Sequence, residues 1–253
     1  MLDSIDLKEI EIVAKEAGDI IMQIYTQEFD VEYKDDSSPL TIADKRANIH
    51  ISKRLEELYP TIPILSEESA ITDYDIRKKW RGYWCIDPLD GTKEFIKRNG
   101  EFTVNIAYIE DGVPKLGVVY APVIGTIYSA KEGYGAYKNG VKLPLEYNHN
   151  KQELLRVVAS KSHLNKETMD FIEELKKSTK EIVRVSKGSS LKLCMVAEGV
   201  ADIYPRLAPT MEWDTAAAHA VVLGANKMVV RYSDRSPLEY NKENLLNPWF
   251  IVE

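Results

Sequence analysis

A tract of short strands in the middle of the chain limits the possible architectures more than any other sequence feature. Apolar and polar residues alternate with a period of two over residues 102–109, as is typical of a strand. Further short runs of strand-forming residues lie at 62–65, 83–86, 116–121 and 126–130. Asn139-Gly140 is a hairpin signal that continues the series. The tract therefore predicts a sheet that is mainly antiparallel.

Two helices are predicted ahead of this tract. Apolar residues spaced by three and four over residues 5–28 form one face of an amphipathic helix, for which Asp3 or Ser4 is the expected N-cap. A second helix is expected over residues 41–59. The polar stretch at 34–39 is rich in turn-forming residues and is expected to be a surface loop or hairpin tip.

The last hundred residues have a different pattern. Predicted strands at 154–159, 182–185, 201–204 and 227–231 alternate with predicted helices at 166–177, 189–198 and 214–223. This alternation is typical of α/β structure. The chain is therefore expected to combine a helix and antiparallel-sheet half, residues 1–150, with an α/β half, residues 151–253. The boundary falls near residues 148–152, and the two halves are expected to form one compact unit.

Composition and charge exclude several classes of function. The 253 residues, of which 44% are hydrophobic and 29% charged, are those of a globular protein. A formal charge of −7 leaves no basic excess for binding a nucleic-acid duplex. No apolar run of about 18 residues and no secretory signal is visible. Two cysteines, Cys85 and Cys194, are too few for a disulfide scaffold, and Cys85 is expected in the core.

Two aspartates at the end of a predicted strand give the strongest local signal. Asp87 follows the strand at 83–86, Pro88 is expected to force an extended turn, and Asp90 comes three residues after Asp87. Both carboxylates can converge at the edge of the sheet, which suits a hard divalent cation. Gly91-Thr92 opens a predicted helix, whose free N–H groups would offer an anion site beside that cation.

An ordinary structural interpretation competes at each acidic residue. Asp87 and Asp90 could form an Asx-turn and an N-cap, and Asp214 could be the N-cap of the helix predicted from residue 214. Glu67 and Glu68 could belong to a solvated loop. Taken singly, each of these interpretations is the more frequent one for its pattern.

The acidic segments, taken together, resemble a known superfamily. Ser66-Glu67-Glu68-Ser69, Asp87-Pro88-Leu89-Asp90-Gly91-Thr92 and Trp213-Asp214-Thr215-Ala216-Ala217 are similar to motifs of the inositol monophosphatase-like superfamily of metal-dependent, lithium-sensitive phosphatases. Asp90-Gly91-Thr92-Lys93-Glu94-Phe95 looks like the 3'(2'),5'-bisphosphate nucleotidase branch of this superfamily. The resemblance implies an α/β fold in α-β-α-β-α layers, like that of inositol monophosphatase and fructose-1,6-bisphosphatase. Ser66 departs from the Gly that is common in inositol phosphatases.

The same resemblance implies a centre of two or three Mg²⁺ ions in the N-terminal half. Glu67, Asp87 and the Leu89 carbonyl would hold one ion, and Asp87, Asp90 and Asp214 would hold the second. Thr92 and Asp44 would orient the attacking water and help to deprotonate it. The implied catalytic residues are Asp44, Glu67, Asp90 and Thr92. The implied contacts to substrate at this centre are Glu67, Leu89, Asp90, Gly91, Thr92 and Asp214, with Gly91 and Thr92 acting through backbone N–H groups.

Substrate recognition is expected in the C-terminal half. By resemblance, His163, Ser189, Lys192 and Arg206 would contact the adenosine and the phosphate that is not cleaved. Lysine and arginine are apt donors for phosphate. A solvated surface position is the ordinary alternative for Lys192 and Arg206. His163, in a polar loop, is expected to bind rather than to act as an acid or base.

The implied reaction is Mg²⁺-dependent hydrolysis of adenosine 3',5'-bisphosphate to AMP and phosphate, with 3'-phosphoadenylyl sulfate as a further substrate. An inositol or sugar monophosphatase and a non-catalytic nucleotide-binding regulator are the alternatives. The expected partner is a small nucleotide and not a nucleic-acid duplex. A cytoplasmic monomer or homodimer without a transmembrane segment is expected, with a peripheral position on the inner membrane as an alternative.

Overall fold

The computed structural model describes residues 1–28, 31–33, 39–145, 150–159 and 164–253. A short 3-10 helix, Leu2–Ser4, precedes the α-helices. These are α1 (Leu7–Tyr25), α2 (Ile42–Leu58), α3 (Tyr74–Arg77), α4 (Thr92–Ile96), α5 (Lys166–Leu175), α6 (Leu191–Glu198) and α7 (Ala216–Gly224). The strands up to residue 142 are β1 (Val31–Tyr33), β2 (Pro39–Thr41), β3 (Ile64–Ser66), β4 (Gly82–Asp90), β5 (Thr103–Glu110), β6 (Val113–Ala121), β7 (Thr126–Lys131), β8 (Gly135–Lys138) and β9 (Val141–Lys142). Five more follow: β10 (Leu154–Val158), β11 (Glu181–Val185), β12 (Tyr204–Arg206), β13 (Val229–Arg231) and β14 (Phe250–Val252).

Side-chain caps fix where the first two long helices begin. Asp6 caps α1, because its Oδ1 accepts the Lys8 N–H at 2.8 Å. The expectation of a cap at Asp3 or Ser4 is wrong, since those residues belong to the separate 3-10 turn. Thr41 caps α2 in a capping box that also uses the carboxylate of Asp44. The cap therefore fixes one of the predicted catalytic residues.

The predicted antiparallel sheet is confirmed. Its seven strands run in the order β3-β4-β5-β6-β7-β8-β9, and only β3 pairs with β4 in parallel. The Asn139-Gly140 hairpin joins β8 to β9, and both residues have positive φ, as the tight turn requires. Residues 103–109 of β5 are buried on both faces despite their alternating pattern, because helices cover both sides of the sheet.

Helices cover both faces of the seven-stranded sheet. On one face, α1 and α2 pack through Ile10 and Ile51 against Ile106 and Val118. On the other face, α7 lies close to β6, where a side chain at Gly117 would stand 2.2 Å from the carbonyl oxygen of Ala217. Glycine is therefore needed at residue 117 for this close approach of helix and strand.

A second group of strands completes the layers. β12, β14 and β13 form an antiparallel sheet that packs on α6 and α7 through Val229 and Phe250. β10 and β11 pair in parallel, and α5 packs through Ile172 beside Val157 and Ile251. The layers are therefore α1 with α2, the seven-stranded sheet, α6 with α7, the small sheets, and α5. This order agrees with the predicted layered α/β fold.

Several elements differ from their predicted positions. Of the strand expected at 201–204, only Tyr204 belongs to β12. Asp202 and Ile203 instead pair with β10, through the Asp202 N–H bond to the Arg156 carbonyl and a parallel bridge between Ile203 and Val157. α3 was not predicted, since one turn capped by Asp73 is too short to show periodicity. β14 was also not predicted. The expected loop at 34–39 lies mostly outside the described residues.

The two predicted halves of the chain are in contact with each other. α7, from the C-terminal half, packs against the large sheet of the N-terminal half, and α6 packs on α7 and bonds that sheet through Glu198. Part of the expected boundary, residues 146–149, lies outside the described residues, so the division into two halves stays a prediction. Within the described ranges, no helix has the length and apolar character needed to span a bilayer.

Candidate metal and phosphate site

Three acidic side chains from separate parts of the chain converge on one point. Glu67 follows β3, Asp87 lies within β4, and Asp214 precedes α7. One carboxylate oxygen of each lies within 4.8 Å of the others. Asp87 is 2% exposed, and Glu67 and Asp214 are half-buried. The fold therefore brings together three of the four acidic side chains that the sequence predicts as metal ligands.

The segment from Asp87 to Asp90 is an irregular part of β4 and not the turn predicted at Pro88. β4 continues to Asp90, with a shift of register against β5 between Asp87 and Asp90. Asp87 Oδ1 accepts the Leu89 N–H at 3.0 Å, so the local Asx-type contact is present. This contact uses one oxygen of Asp87, so the other could serve as a ligand to a cation.

Asp90 does not cap the helix that follows it. Gly91, with φ of 96°, is the N-cap of α4, and the five-residue helix begins at Thr92. The Oδ2 atom of Asp90 instead accepts the backbone N–H of Ser190 at 2.5 Å and the Asn105 Nδ2–H at 3.4 Å. Asp90 is not a member of the 4.8 Å group, although it lies near enough to raise the pKa of Asp87 and of Asp214.

Asp214 also differs from the ordinary cap interpretation. Thr215 is the N-cap residue of α7 and makes no side-chain capping bond. The Oδ2 atom of Asp214 accepts the N–H of Met211 at 2.9 Å, so the carboxylate is fixed to the loop that precedes α7. The loop itself is fixed by Glu212, which is fully buried and paired with Lys242 at 2.6 Å.

Glu67 is positioned through the serine that precedes it. The Ser66 hydroxyl donates to Asn48 Oδ1 at 2.7 Å and accepts the Glu68 N–H at 3.2 Å. Ser66 is 1% exposed, so this tie between α2 and the loop is shielded from water. The serine that departs from the family pattern therefore anchors the loop that carries Glu67.

Burial and mutual repulsion shift the pKa values of the three aspartates of the site upwards. Burial raises the pKa of Asp87 well above its ordinary range, and the charges of Glu67, Asp90 and Asp214 add to the effect. Burial likewise raises the pKa of Asp90 to about 6, against the opposing charge of Lys192. The pKa of Asp214 rises to about 7, through burial and then the charge of Asp90.

The same arrangement fits a divalent cation. Closely spaced carboxylate oxygens at a partly buried point are the donors that Mg²⁺ accepts. Within the described ranges, no lysine or arginine forms an ion pair with Asp87, Asp90 or Asp214. A bound cation would remove the repulsion between the acids, and the donor set therefore suits a metal centre.

A threonine and an aspartate form a polar pair next to this centre. The Thr92 hydroxyl lies 3.1 Å from Asp44 Oδ1, to which it donates, and 3.4 Å from the Leu89 carbonyl oxygen. Asp44 Oδ2 accepts from the hydroxyl and the N–H of Thr41 at 2.6 and 2.7 Å. Burial raises the pKa of Asp44 despite these bonds. The sequence-predicted pair is thus in contact and held rigidly by the α2 cap.

A cleft leads away from the acids towards the C-terminal half. A cavity of about 160 Å³ is lined by Asp90, Asp214, Lys192 and Arg206, and it is next to a second of about 380 Å³ that shares Lys192 and Arg206. Ser189 lines the first cavity. Other cavities, around Tyr134, contain none of the predicted site residues.

The predicted substrate contacts differ in how firmly they are held. The Nζ of Lys192 donates only weakly, at 3.5 Å, to the Lys187 carbonyl, and Arg206 donates to the Pro209 carbonyl at 2.8 Å. The Nε of Arg206 is buried without a hydrogen-bond partner among the described residues. His163 lies outside the described residues, and its role stays a prediction.

Sequence reasoning missed the polar residues that hold these groups. Asn105 and Thr103 are buried in β5, at 1% and 0% exposure, and Ser190 is 2% exposed. The available signal was a polar Asn within an apolar strand, which must find partners when buried. Cys85 is buried, and burial raises the pKa of its thiol well above the ordinary range, so the expectation of a core cysteine is confirmed.

With the fold and the centre described, comparison with known proteins identifies the class. Residues 2–249 match the inositol monophosphatase family. The chain belongs to this family.

Individual relatives narrow the comparison. The 3'(2'),5'-bisphosphate nucleotidase CysQ of Escherichia coli K12 is 47% identical over 97% of this chain and 98% of its own. CysQ of Haemophilus influenzae is 36% identical over 97% of this chain and 91% of its own. The crystal structure of CysQ from Bacteroides thetaiotaomicron, a bacterial member of the inositol monophosphatase family, superposes with a TM-score of 0.86. It is 46% identical and covers 95% of this chain and 94% of that one.

Proposed function

We propose that this protein is a Mg²⁺-dependent 3'(2'),5'-bisphosphate nucleotidase. It hydrolyses adenosine 3',5'-bisphosphate to AMP and phosphate, with 3'-phosphoadenylyl sulfate as a second substrate. The observation that carries the proposal is the meeting of Glu67, Asp87 and Asp214 within 4.8 Å. Similarity to the CysQ nucleotidases supports the choice of substrate.

Four acids and one carbonyl would hold two metal ions. Glu67, Asp87 and the carbonyl of Leu89 are assigned to the first ion, and Asp87, Asp90 and Asp214 to the second. Bound there, divalent cations supply Lewis-acid stabilisation of charge and favour ionisation of a water molecule. The raised pKa values of Asp87, Asp90 and Asp214 support this assignment, because each acid is ready to exchange a proton for a cation.

The hydrogen bond from Thr92 to Asp44 gives the site a route for a proton. Water attacking phosphorus would pass a proton to Thr92 Oγ1, while Thr92 passes its own proton to Asp44 Oδ1, 3.1 Å away. The P–O bond to the nucleoside breaks as the new P–O bond forms, and the leaving nucleoside oxygen takes a proton from solvent water. Burial raises the pKa of Asp44, which makes its carboxylate a better proton acceptor.

Gly91 and Thr92 are placed to bind the phosphate that is cleaved. Gly91, in a left-handed conformation, is the N-cap of α4, and the first N–H groups of a helix have no partner within the helix. These donors lie next to Asp90 and Leu89. We assign them to the equatorial oxygens of the phosphoryl group, where they would stabilise charge in the transition state.

The cleft beyond the acids would bind the remainder of the nucleotide. Lys192 and Arg206 line both cavities, and each has donor atoms that are weakly used or unused within the described residues. We assign them, with Ser189, to the phosphate that is not cleaved and to the nucleoside. His163 is assigned there by resemblance alone.

The deciding experiment measures phosphate release from adenosine 3',5'-bisphosphate with and without Mg²⁺, beside inositol 1-phosphate and fructose 1,6-bisphosphate. Mg²⁺-dependent preference for the nucleotide is expected. Preference for inositol 1-phosphate or the sugar phosphate would keep the metal centre and reject the assigned substrate. Tight nucleotide binding without any phosphate release would instead indicate a non-catalytic regulator.

A variant of the cleft sharpens this test. Lys192→Ala is expected to raise KM for the bisphosphate nucleotide by about tenfold, as for the loss of a charge-assisted hydrogen bond. Hydrolysis of p-nitrophenyl phosphate, which has no second phosphate, should change much less. Equal losses on both substrates would reject the assignment of Lys192 to the phosphate that is not cleaved.

A further inference from the structure

A buried chain of hydrogen bonds joins Asp90 to the turn before α6. Asn105 Nδ2 donates to Asp90 Oδ2 at 3.4 Å, and its Oδ1 accepts the Ser190 hydroxyl at 2.9 Å. The Ser190 N–H donates to the same Asp90 oxygen at 2.5 Å. Thr103 Oγ1 lies 2.9 Å from the Ser190 hydroxyl oxygen. The four residues therefore form one network between β4, β5 and α6.

The geometry of the network leaves one side of Asp90 uncommitted. Both donors bond Oδ2, and no hydrogen bond to Oδ1 is found among the described residues. A carboxylate held by two donors through one oxygen cannot rotate freely about its Cβ–Cγ bond. The network therefore fixes the direction in which Oδ1 points.

The turn that supplies the Ser190 N–H is itself tightly constrained. Ser189 has φ of 47°, a left-handed conformation that costs a non-glycine residue free energy. A side chain at Gly188 would stand 2.5 Å from the Glu101 carbonyl oxygen, so the turn is pressed against the neighbouring loop. Lys192 is the second residue of α6. The turn thus joins a proposed metal ligand to the proposed substrate contacts.

We propose that Asn105 and Ser190 are positioning residues, which orient Asp90 for the metal and couple metal binding to occupancy of the turn by a nucleotide phosphate. This proposal rests on the proposed function, because it takes Asp90 as a metal ligand. Partners that hold a metal ligand in place commonly affect metal affinity strongly. A ligand that orders the Ser189–Ser190 backbone would also order Asp90, so nucleotide and metal would each strengthen the binding of the other.

A purely structural role is the competing explanation. Buried polar residues that satisfy each other contribute to stability whether or not they touch a metal ligand. Thr103 offers a matched comparison, because it belongs to the same network and the same strand, but its side chain makes no hydrogen bond to Asp90 among the described residues. A structural role predicts similar effects at Thr103 and Asn105.

The test compares Asn105→Leu with Thr103→Val by isothermal titration of Mg²⁺ into metal-stripped protein. Both changes keep the branching and the number of heavy atoms of the side chain and remove hydrogen bonds. Asn105→Leu is expected to weaken Mg²⁺ binding by about tenfold, and Thr103→Val should stay within about twofold of the original protein. Equal Mg²⁺ affinities in the two variants, with equal thermal shifts in EDTA, would overturn the positioning role.

The coupling is tested with Ser190→Ala, which removes the hydroxyl but keeps the backbone N–H bonded to Asp90. Mg²⁺ is titrated with and without saturating AMP. In the original protein AMP should increase Mg²⁺ affinity by about fivefold or more, and the increase should fall by half or more in Ser190→Ala. An unchanged increase would overturn the coupling.

Failure of this proposal can be told apart from failure of the proposed function. Asp87→Asn serves as the reference, since Asp87 is assigned to both ions. Loss of Mg²⁺ binding in Asp87→Asn together with normal binding in Asn105→Leu rejects only the positioning role. Absence of Mg²⁺ binding in the original protein rejects both proposals.

Discussion

Two sets of three carboxylates in this protein have different surroundings. Glu198, Asp202 and Glu212, called here the paired carboxylates, each have a lysine or arginine within 3.2 Å. Asp87, Asp90 and Asp214, called here the site carboxylates, have no such ion pair among the described residues. All six lie in the interior or at its edge.

The paired carboxylates stabilise the fold through their ion pairs, whereas the site carboxylates lack the counter-charge that a bound cation would supply. A buried charge is tolerated when a cation and hydrogen bonds replace water. Lys242 meets that need for Glu212, and Arg156 meets it for Asp202. For the site carboxylates the need is left open, and their pKa values rise. Several such acids close together lower the stability of the metal-free protein and raise its affinity for a metal ion.

The largest effect is expected for one substitution made in both groups. Asp87→Asn should lower turnover by about a thousandfold or more, because it removes a ligand assigned to both ions. Its metal-free melting temperature should be equal to or higher than that of the original protein, since repulsion between the acids decreases. Asp202→Asn should behave in the opposite way, with near-normal turnover and lower stability.

The measurement combines steady-state hydrolysis of adenosine 3',5'-bisphosphate with thermal unfolding in EDTA. Asp202→Asn controls for the chemistry of the substitution itself, because its Asp is also buried, at 4% exposure. Equal losses of metal-free stability in Asp87→Asn and Asp202→Asn would contradict the distinction between the two groups.

Sequence patterns predicted most of the fold because the long elements have strong periodicity. α1, α2 and the central strands were placed within a few residues, whereas α3 and β12 are too short for their patterns to be distinguished. The N-cap of α1 is wrongly predicted at Asp3 or Ser4, because several residues near the start of the helix have side chains able to cap it and only the geometry selects Asp6.

The candidate site was predictable where its residues belong to local motifs. Glu67, Asp87, Asp90, Thr92 and Asp214 each lie in a recognisable segment. The polar Asn105 within an apolar strand shows that a partner is needed but not which one, because the contacts of Asn105 and Ser190 to Asp90 span 15 and 100 residues of sequence. Long-range polar contacts leave no periodic trace in the sequence.

A smaller effect is expected from Glu212→Gln among the paired carboxylates. Glu212 is 0% exposed and accepts the Lys242 Nζ–H at 2.6 Å and two backbone N–H groups, from Asn241 and Lys242. Breaking a buried pair is costly, but Lys242 remains 28% exposed and keeps other acceptors. The free energy of unfolding should therefore fall by about 2 kcal/mol.

Urea denaturation in EDTA measures this loss without involving the metal. Glu198→Gln is the matched control, since Lys138 is 29% exposed and bonds Glu198 at the same 2.6 Å. Comparable losses in the two variants would support a shared structural role. A stable Glu212→Gln protein would place Glu212 with the site carboxylates instead.

The smallest effect is expected from pH, and its sign depends on the metal. The folded-state pKa values of Asp90 and Asp214 are raised, to about 6 and about 7, above those of the unfolded chain. Between about pH 4 and 7 the folded state therefore binds more protons, and metal-free stability falls as pH rises through this window. Mg²⁺ should reverse the cost of ionisation, so that the stabilisation by saturating Mg²⁺ grows with pH.

The titration of His219 also changes stability with pH. The effect of Mg²⁺ is therefore measured as the difference between the Mg²⁺ and EDTA series at each pH. Burial lowers its pKa to about 3, so below about pH 6.5 it makes stability rise with pH, against the trend of the acids. This contribution is the same with Mg²⁺ and with EDTA and cancels between the two series. The Mg²⁺-induced rise in melting temperature should be larger at pH 7.5 than at pH 5.5, by an amount equivalent to about 1 kcal/mol. A rise that is independent of pH would mean that the site carboxylates are already ionised in the metal-free protein, and the distinction between the two groups would fail.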